Sequence, residues 1–330
     1  MNRRQFITSG VMASATFFGG FSAIAQGTLG DWNLKNTHAG RIPRGTGRPP
    51  AIIRKAISLG MIQDGTSVLD KYLIAKDCGI QGLELNAPVS DDTLKEYIQA
   101  RNKAEIPTAG IMFAGNWSQN LGDPDPEKRN IAIESVTKAL QQAKEVGAPH
   151  VLVVPGVVNA NVDYESVWKY SLESLFRLLP AVEETRVKIG IENVWNNFLL
   201  SPIEMAQYVD QVNNPRVGCL FDIGNILRYG WPEHWIRTLN HRIVNLHIKG
   251  FNTSLADSKG KWAGFGVEMQ DEGDFSWEPI AKALVDISFR GYLIAEVGGG
   301  KKERIQDISN RLQKMVDLVQ KTTDEKNNQV

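Results

Sequence analysis

From residue 51 onward the chain alternates, eight times over, between a short apolar run and a longer amphipathic segment. The runs are AIIRKAISLG (51–60), QGLELNAP (81–88), PTAGIMFAG (107–115), PHVLVVPG (149–156), VKIGIENVW (187–195), RVGCLFDIGN (216–225), RIVNLHIKGF (242–251) and RGYLIAEVGGG (290–300). Most are β-branched or aliphatic, the composition of parallel strands buried on both faces. Between them, residues 66–77, 91–104, 125–146, 164–184 and 201–212 read as helices, and 303–320 as a last one. Asp125-Pro126 and Ser201-Pro202 each set a capping residue before a proline at the first helical position. Gly79 and Gly147 follow helices as stop signals. Strands that alternate with helices imply a parallel sheet. No G-x-G-x-x-G follows the first strand, and eight repeated units favour closure over an open doubly wound sheet. The expected fold is therefore α/β, a single (β/α)8 TIM barrel over residues 51–320, close to the usual barrel length of about 250 residues.

The flanks read differently. Residues 1–25 begin with Arg3 and Arg4, followed by Gln5 and Phe6, then a mildly apolar stretch, and end on Ala23-Ile24-Ala25, an A-x-A cleavage pattern. This reads as a twin-arginine export signal and places the mature protein in a bacterial periplasm or otherwise outside the cytoplasm. The stretch is too rich in Gly, Ala and Ser for a stable membrane anchor. Residues 26–50 read as a linker and 321–330 as a polar, frayed tail. Residues 252–275 read as a long loop after the seventh strand, on the face where a barrel builds its site.

Lys plus Arg and Asp plus Glu both number 37, so the formal charge is zero. A nucleic-acid partner would favour a basic stripe instead. The two cysteines, Cys78 and Cys219, fall in segments expected to be buried and read as free thiols, with no C-x-x-C. A homo-oligomer is compatible with this sequence.

Barrel active sites form at the C-terminal ends of the strands. The polar residues there are Glu84 on the second strand, Glu192 and Asn193 on the fifth, Asp222 and Asn225 on the sixth, His247 and Lys249 on the seventh, and Glu296 on the eighth. Four consecutive strands thus each deliver one acidic or imidazole group within an apolar run, where burial without a partner is costly. Three carboxylates and one imidazole make a hard ligand set suited to one divalent ion, Mn²⁺ or Mg²⁺ first, then Co²⁺ or Zn²⁺. Such an ion offsets the mutual repulsion of the carboxylates. Aromatic residues that follow strand ends, Phe113, Trp117 and Trp195, and Trp262 in the long loop, are candidates for stacking on a sugar. His150 opens a strand, at the opposite end of the barrel, and reads as structural; His234 and His241 read as surface or capping residues.

The segments IENVWNNFLLSP, FDIGN, VNLHIKGF and GYLIAEV resemble the xylose-isomerase-like barrels, which include tagatose and psicose 3-epimerases, and the resemblance runs from about residue 51 to 320. It implies that Glu192, Asp222, His247 and Glu296 bind one divalent metal, which holds a hydroxyl and carbonyl pair of the sugar. It further implies that Glu192 and Glu296 exchange protons on opposite faces of the carbon next to the carbonyl, while Asp222 and His247 are ligands only. Substrate contacts are expected from Glu84, Trp117, Asn193, Trp195, Asn225 and Lys249. Two positions depart from the family: Asn225 stands where several epimerases have His, and Gly250 follows Lys249 where many relatives have Asp.

The expected activity is a metal-dependent isomerase or epimerase that works through an enediolate of a free sugar or keto-sugar. No phosphate-binding glycine loop or arginine cluster points to a sugar phosphate. The alternative is a 3-keto-glycoside lyase, in which the same proton abstraction expels the glycosidic oxygen by β-elimination. An apurinic-site endonuclease would need a His-rich multi-metal cluster, and the chain has five His, of which one closes a strand. A catalytically silent sugar-binding protein is the remaining class.

Overall fold

The computed structural model describes residues 49–269 and 273–328. Eight parallel strands close into one barrel in sequence order: β1 (Ile52–Ser58), β2 (Gly82–Ala87), β3 (Thr108–Phe113), β4 (His150–Val153), β5 (Lys188–Glu192), β6 (Val217–Asp222), β7 (Ile243–Ile248) and β8 (Arg290–Ala295). Closure is carried by β1, where Ala56 lies opposite Gly82 of β2 on one side and Ile294 of β8 on the other. The helices are α1 (Val68–Asp77), α2 (Asp91–Ala104), α3 (Pro126–Val146), α4 (Tyr164–Thr185), α5 (Pro202–Val212), α6 (Pro232–Leu239), α7 (Thr253–Lys259), α8 (Trp277–Asp286) and α9 (Lys302–Asn327). The eight expected strands and the helical segments between them are thus present.

Local chemistry explains the boundaries. Ser67 and Asp70 form a reciprocal capping box at the start of α1. Asp125 and Ser201 accept backbone N–H bonds at the starts of α3 and α5, each with Pro next. Gly147 ends α3 at φ +72°, in the left-handed region where a side chain would be strained. Along each strand, alternate residues face the barrel interior or the helices. Inside, bulky side chains stand beside glycines: a Cβ on Gly110 would fall 2.4 Å from the His150 imidazole. His150 is fully buried at the start of β4, and burial, with lesser contributions from His247 and Lys188, pushes its pKa down to about 3. It is a packing residue, as its place at the strand start suggests. Gly110→Ala is expected to destabilise the barrel by about 1–3 kcal/mol, the usual cost of overpacking. Urea unfolding would check this, with an unchanged midpoint as the contrary result.

Two expectations need correction. Residues 252–275 are not a plain loop, because α7 and a 3-10 turn (Lys261–Phe265) occupy half of the stretch. The seven-residue α7 is capped by Asn252, whose side chain accepts from Leu255 N. It is too short to show a helical period in the sequence. Residues 321–327 are not frayed but continue α9, because Met315, Val319 and Thr323 recur every four residues on its buried face. Trp277 of α8 donates to the Met315 carbonyl at 3.3 Å, and Lys326 pairs with Asp286 at 2.9 Å. Cys78 and Cys219 are buried free thiols. No described helix is long and apolar enough to cross a membrane. The export-signal reading of residues 1–25 and nearly all of the linker lie outside the described residues.

Candidate metal centre

Strand register brings the four strand-end residues together. Asp222 lies directly opposite His247, which in turn lies opposite Ile294, two residues before Glu296. One ligand atom from each of Glu192, Asp222, His247 and Glu296 falls within 4.8 Å of the others. Glu192, Asp222 and His247 are buried, whereas the Glu296 side chain is 39% exposed and so forms the open side of the cluster.

His247 is aimed by a residue from across the barrel. Its Nε2 lies 2.9 Å from Oε1 of Glu84, itself buried on β2. Its Nδ1 is therefore turned to the cluster, 3.7 Å from Glu192 Oε1 and 3.8 Å from Glu296 Oε2. These separations exceed a hydrogen bond, and Nδ1 has no hydrogen-bond partner among the described residues. Burial opposes charging of His247, yet Glu84 and the surrounding carboxylates outweigh it and raise its pKa well above the ordinary imidazole value. A metal-ligating histidine commonly shows this arrangement, one nitrogen to a carboxylate and the other to the ion. Glu84 therefore holds His247 from across the barrel. Glu84→Gln is expected to weaken metal binding by about 10–100-fold. A competitive chelator titration would measure this, and an unchanged affinity would refute the assigned role.

Asp222 is held by an amide clamp. Asn193 Oδ1 accepts from Asp222 N at 2.7 Å, and its Nδ2 donates to Asp222 O at 2.8 Å. Asn225 N donates to Asp222 Oδ1 at 3.0 Å, while Asn225 Nδ2 donates to Asn193 O at 2.9 Å. Asn193, expected as a substrate contact, thus binds the Asp222 backbone, and Asn225, also expected as one, reaches the Asp222 carboxylate through its own backbone N–H. Burial pushes the Asp222 carboxyl pKa up, and Lys249 partly offsets that.

For Lys249 the sequence left two partners open, a substrate oxygen and a metal-ligating carboxylate, with the first preferred; its Nζ lies 2.8 Å from Asp222 Oδ2, off the line of a hydrogen bond, and pairs with Glu296. Burial disfavours its ammonium form, but Asp222, Glu296 and Glu192 together raise its pKa above the usual lysine value. The FDIGN glycine makes room for it, since a Cβ on Gly224 would sit 2.2 Å from Lys249 Cγ.

Among the aromatics, Phe113 is buried core and is corrected from a stacking candidate to a packing residue. Trp117 is 64% exposed. Trp195 bonds through Nε1 to the Asn225 carbonyl at 2.8 Å, which fixes its ring at the rim. His234 and His241 are exposed, away from the cluster.

The residues present suit a divalent ion: three clustered carboxylates, an unpartnered imidazole nitrogen aimed among them, and a carboxylate holding that imidazole from behind. The Glu84–His247 bond was hidden in the sequence because β2 and β7 are not neighbours in the sheet.

A sequence search of curated proteins finds no match. Solved structures share the fold. A D-tagatose 3-epimerase-like protein superposes with TM-score 0.69 at 18% identity, covering 82% of this chain and 99% of that one. D-psicose 3-epimerase from Clostridium cellulolyticum H10 gives 0.62 at 20%, with 82% and 97% covered. 3-keto-D-glucoside 4-epimerase from E. coli gives 0.66 at 14%, with 80% and 98% covered. The family model described as xylose isomerase-like TIM barrel matches residues 73–317. With that match over most of its length, a closed eight-stranded barrel and acidic and imidazole groups gathered at the strand ends, the chain belongs to the xylose isomerase-like TIM-barrel family.

Proposed function

We propose that the protein is a divalent-metal-dependent sugar isomerase or epimerase acting on a free sugar or keto-sugar. The observation that carries this is the convergence of two carboxylates, Glu192 and Glu296, with Asp222 and His247 in one cluster. The epimerases among the solved structures of like fold agree with it.

Glu192, Asp222, His247 and Glu296 would hold the ion. When bound, the ion supplies Lewis-acid stabilisation of negative charge on the sugar's carbonyl oxygen. One of the two glutamates takes the proton from the carbon next to the carbonyl; the C–H electron pair becomes the C=C bond of an enediolate, and the carbonyl oxygen takes the charge. The other glutamate delivers its proton to the opposite face, which inverts that carbon. Asn193 and Asn225 keep Asp222 in place, Glu84 keeps His247 in place, and Lys249 holds Asp222 and Glu296.

The test is incubation of the Mn²⁺-loaded protein with a panel of keto-sugars and 3-keto-glycosides in D₂O, followed by NMR. Deuterium at the carbon next to the carbonyl, together with the epimer, supports the reading. Release of the glycosidic alcohol without epimerisation would make the protein a lyase, and sugar binding without exchange would make it a binding protein.

A further inference from the structure

Trp195 sits at the centre of an aromatic cluster, with ring centroids at 4.9 Å to Phe265, 5.0 Å to Trp262, 5.6 Å to Tyr229 and 5.6 Å to Phe251. Phe251 is buried, but Tyr229 is 67% and Trp262 61% exposed. Large aromatic faces left in water beside a cleft mark a binding surface. These faces are continuous with the metal centre. Lys249 Nζ, which contacts Asp222 and Glu296, lies 5.2 Å from the Phe265 centroid. Phe265 leads to Trp195, and Trp195 to the exposed Trp262. Beside this track opens a cavity of about 320 Å³, lined on the inner side by Asn193, Trp195 and Asn225 and on the outer side by Tyr229, Leu200 and Lys261.

A single sugar ring held by the four candidate ligands would leave the outer faces uncovered. We propose that the substrate is a keto-sugar carried in a glycoside of at least two sugar rings, the keto ring at the metal centre and the second ring stacked on the Trp195–Trp262–Tyr229 platform. This rests on the proposed function and names its substrate class. A second sugar suits the platform better than a hydrocarbon or aryl group, because polar groups stand among the aromatics. The Tyr229 hydroxyl has no hydrogen-bond partner among the described residues, and the Lys261 ammonium lies 5.0 Å over the Trp262 ring. A pyranose presents an apolar C–H face to stack and a rim of hydroxyls to bond. The aromatics thus divide into two duties: Trp195 bridges the two rings, and Trp262 belongs to the outer one.

The test measures binding by intrinsic tryptophan fluorescence and calorimetry, on the full chain both Mn²⁺-loaded and chelator-stripped. The probes are glucose, phenyl glucoside and 1,4-, 1,6- and 1,1-linked glucose disaccharides. At least one disaccharide is expected to bind about tenfold more tightly than glucose, and Trp262→Ala or Tyr229→Ala to collapse that ratio toward one. Both side chains are exposed, so neither substitution threatens the core. Equal affinity for glucose and every disaccharide, or a ratio that survives both substitutions, would overturn the proposal. Phenyl glucoside binding above every disaccharide would overturn it in favour of an aryl occupant. Because the stripped protein is measured too, a failure of the proton-transfer reading leaves this readout standing.

Discussion

Glu192→Gln is expected to lower epimerisation of a reactive keto-sugar by roughly 10²–10⁴-fold, the range for loss of one acid/base group, and Glu296→Gln to do the same. Gln keeps the shape and one oxygen of the carboxylate but can neither accept nor return the proton. Both side chains reach the cluster, Glu192 from a buried position on β5 and Glu296 from the open side just beyond β8. If each serves one face of the sugar, the variants differ in a specific way. Each retains a carboxylate that can remove and replace the proton on its own face, so each is expected to wash solvent deuterium into one epimer without converting it to the other. NMR in D₂O with each epimer supplied separately would read this directly. Metal analysis of the same samples is needed alongside, since a variant that has lost its ion reports on ligation. Epimerisation within a few fold of the parent in both metal-loaded variants would remove the two glutamates from the chemistry.

Removal of the divalent ion is expected to abolish turnover and lower the melting temperature, with both restored by Mn²⁺. The reason is electrostatic. Glu84, Glu192, Asp222 and Glu296 crowd together, faced by His247 and Lys249, and most of these groups are buried where water cannot screen them. An ion that binds only the folded barrel stabilises it by about 2.7 kcal/mol at a concentration of 100 times its Kd. Asp222→Asn removes a fully buried candidate ligand and is expected to abolish the Mn²⁺-dependent rise in melting temperature. A melt that is the same in chelator and in Mn²⁺, with activity unchanged, would overturn the metal reading.

The local pattern carried much of this in advance. Buried strands are apolar throughout, so a polar residue at a strand end stands out, and Glu192, Asp222, His247 and Glu296 could be read as a set from four successive runs. Capping pairs such as Asp125-Pro126 and Ser201-Pro202 act within a few residues, so helix starts were legible as well. Roles were harder to read than membership. Asn193, Asn225 and Lys249 follow strand ends and Glu84 lies mid-strand on β2, not at its end as the sequence suggested, yet all four resemble substrate contacts in one dimension. In three dimensions the Asn193 side chain and the Asn225 backbone N–H hold Asp222, Glu84 holds His247, and Lys249 pairs with Asp222 and Glu296.

Strand number and the residues gathered at the barrel's C-terminal mouth were legible along the chain. Those follow from hydrophobic period and strand-end position, which are local properties. Only the tertiary structure decided which polar group meets which. That depends on barrel register and on contacts across the interior, as between Glu84 on β2 and His247 on β7, whose strands are not paired. It also decided that Trp195, Tyr229 and Trp262, from three separate segments, form one surface, because ring contacts are set by the packing of loops that carry no periodic signal.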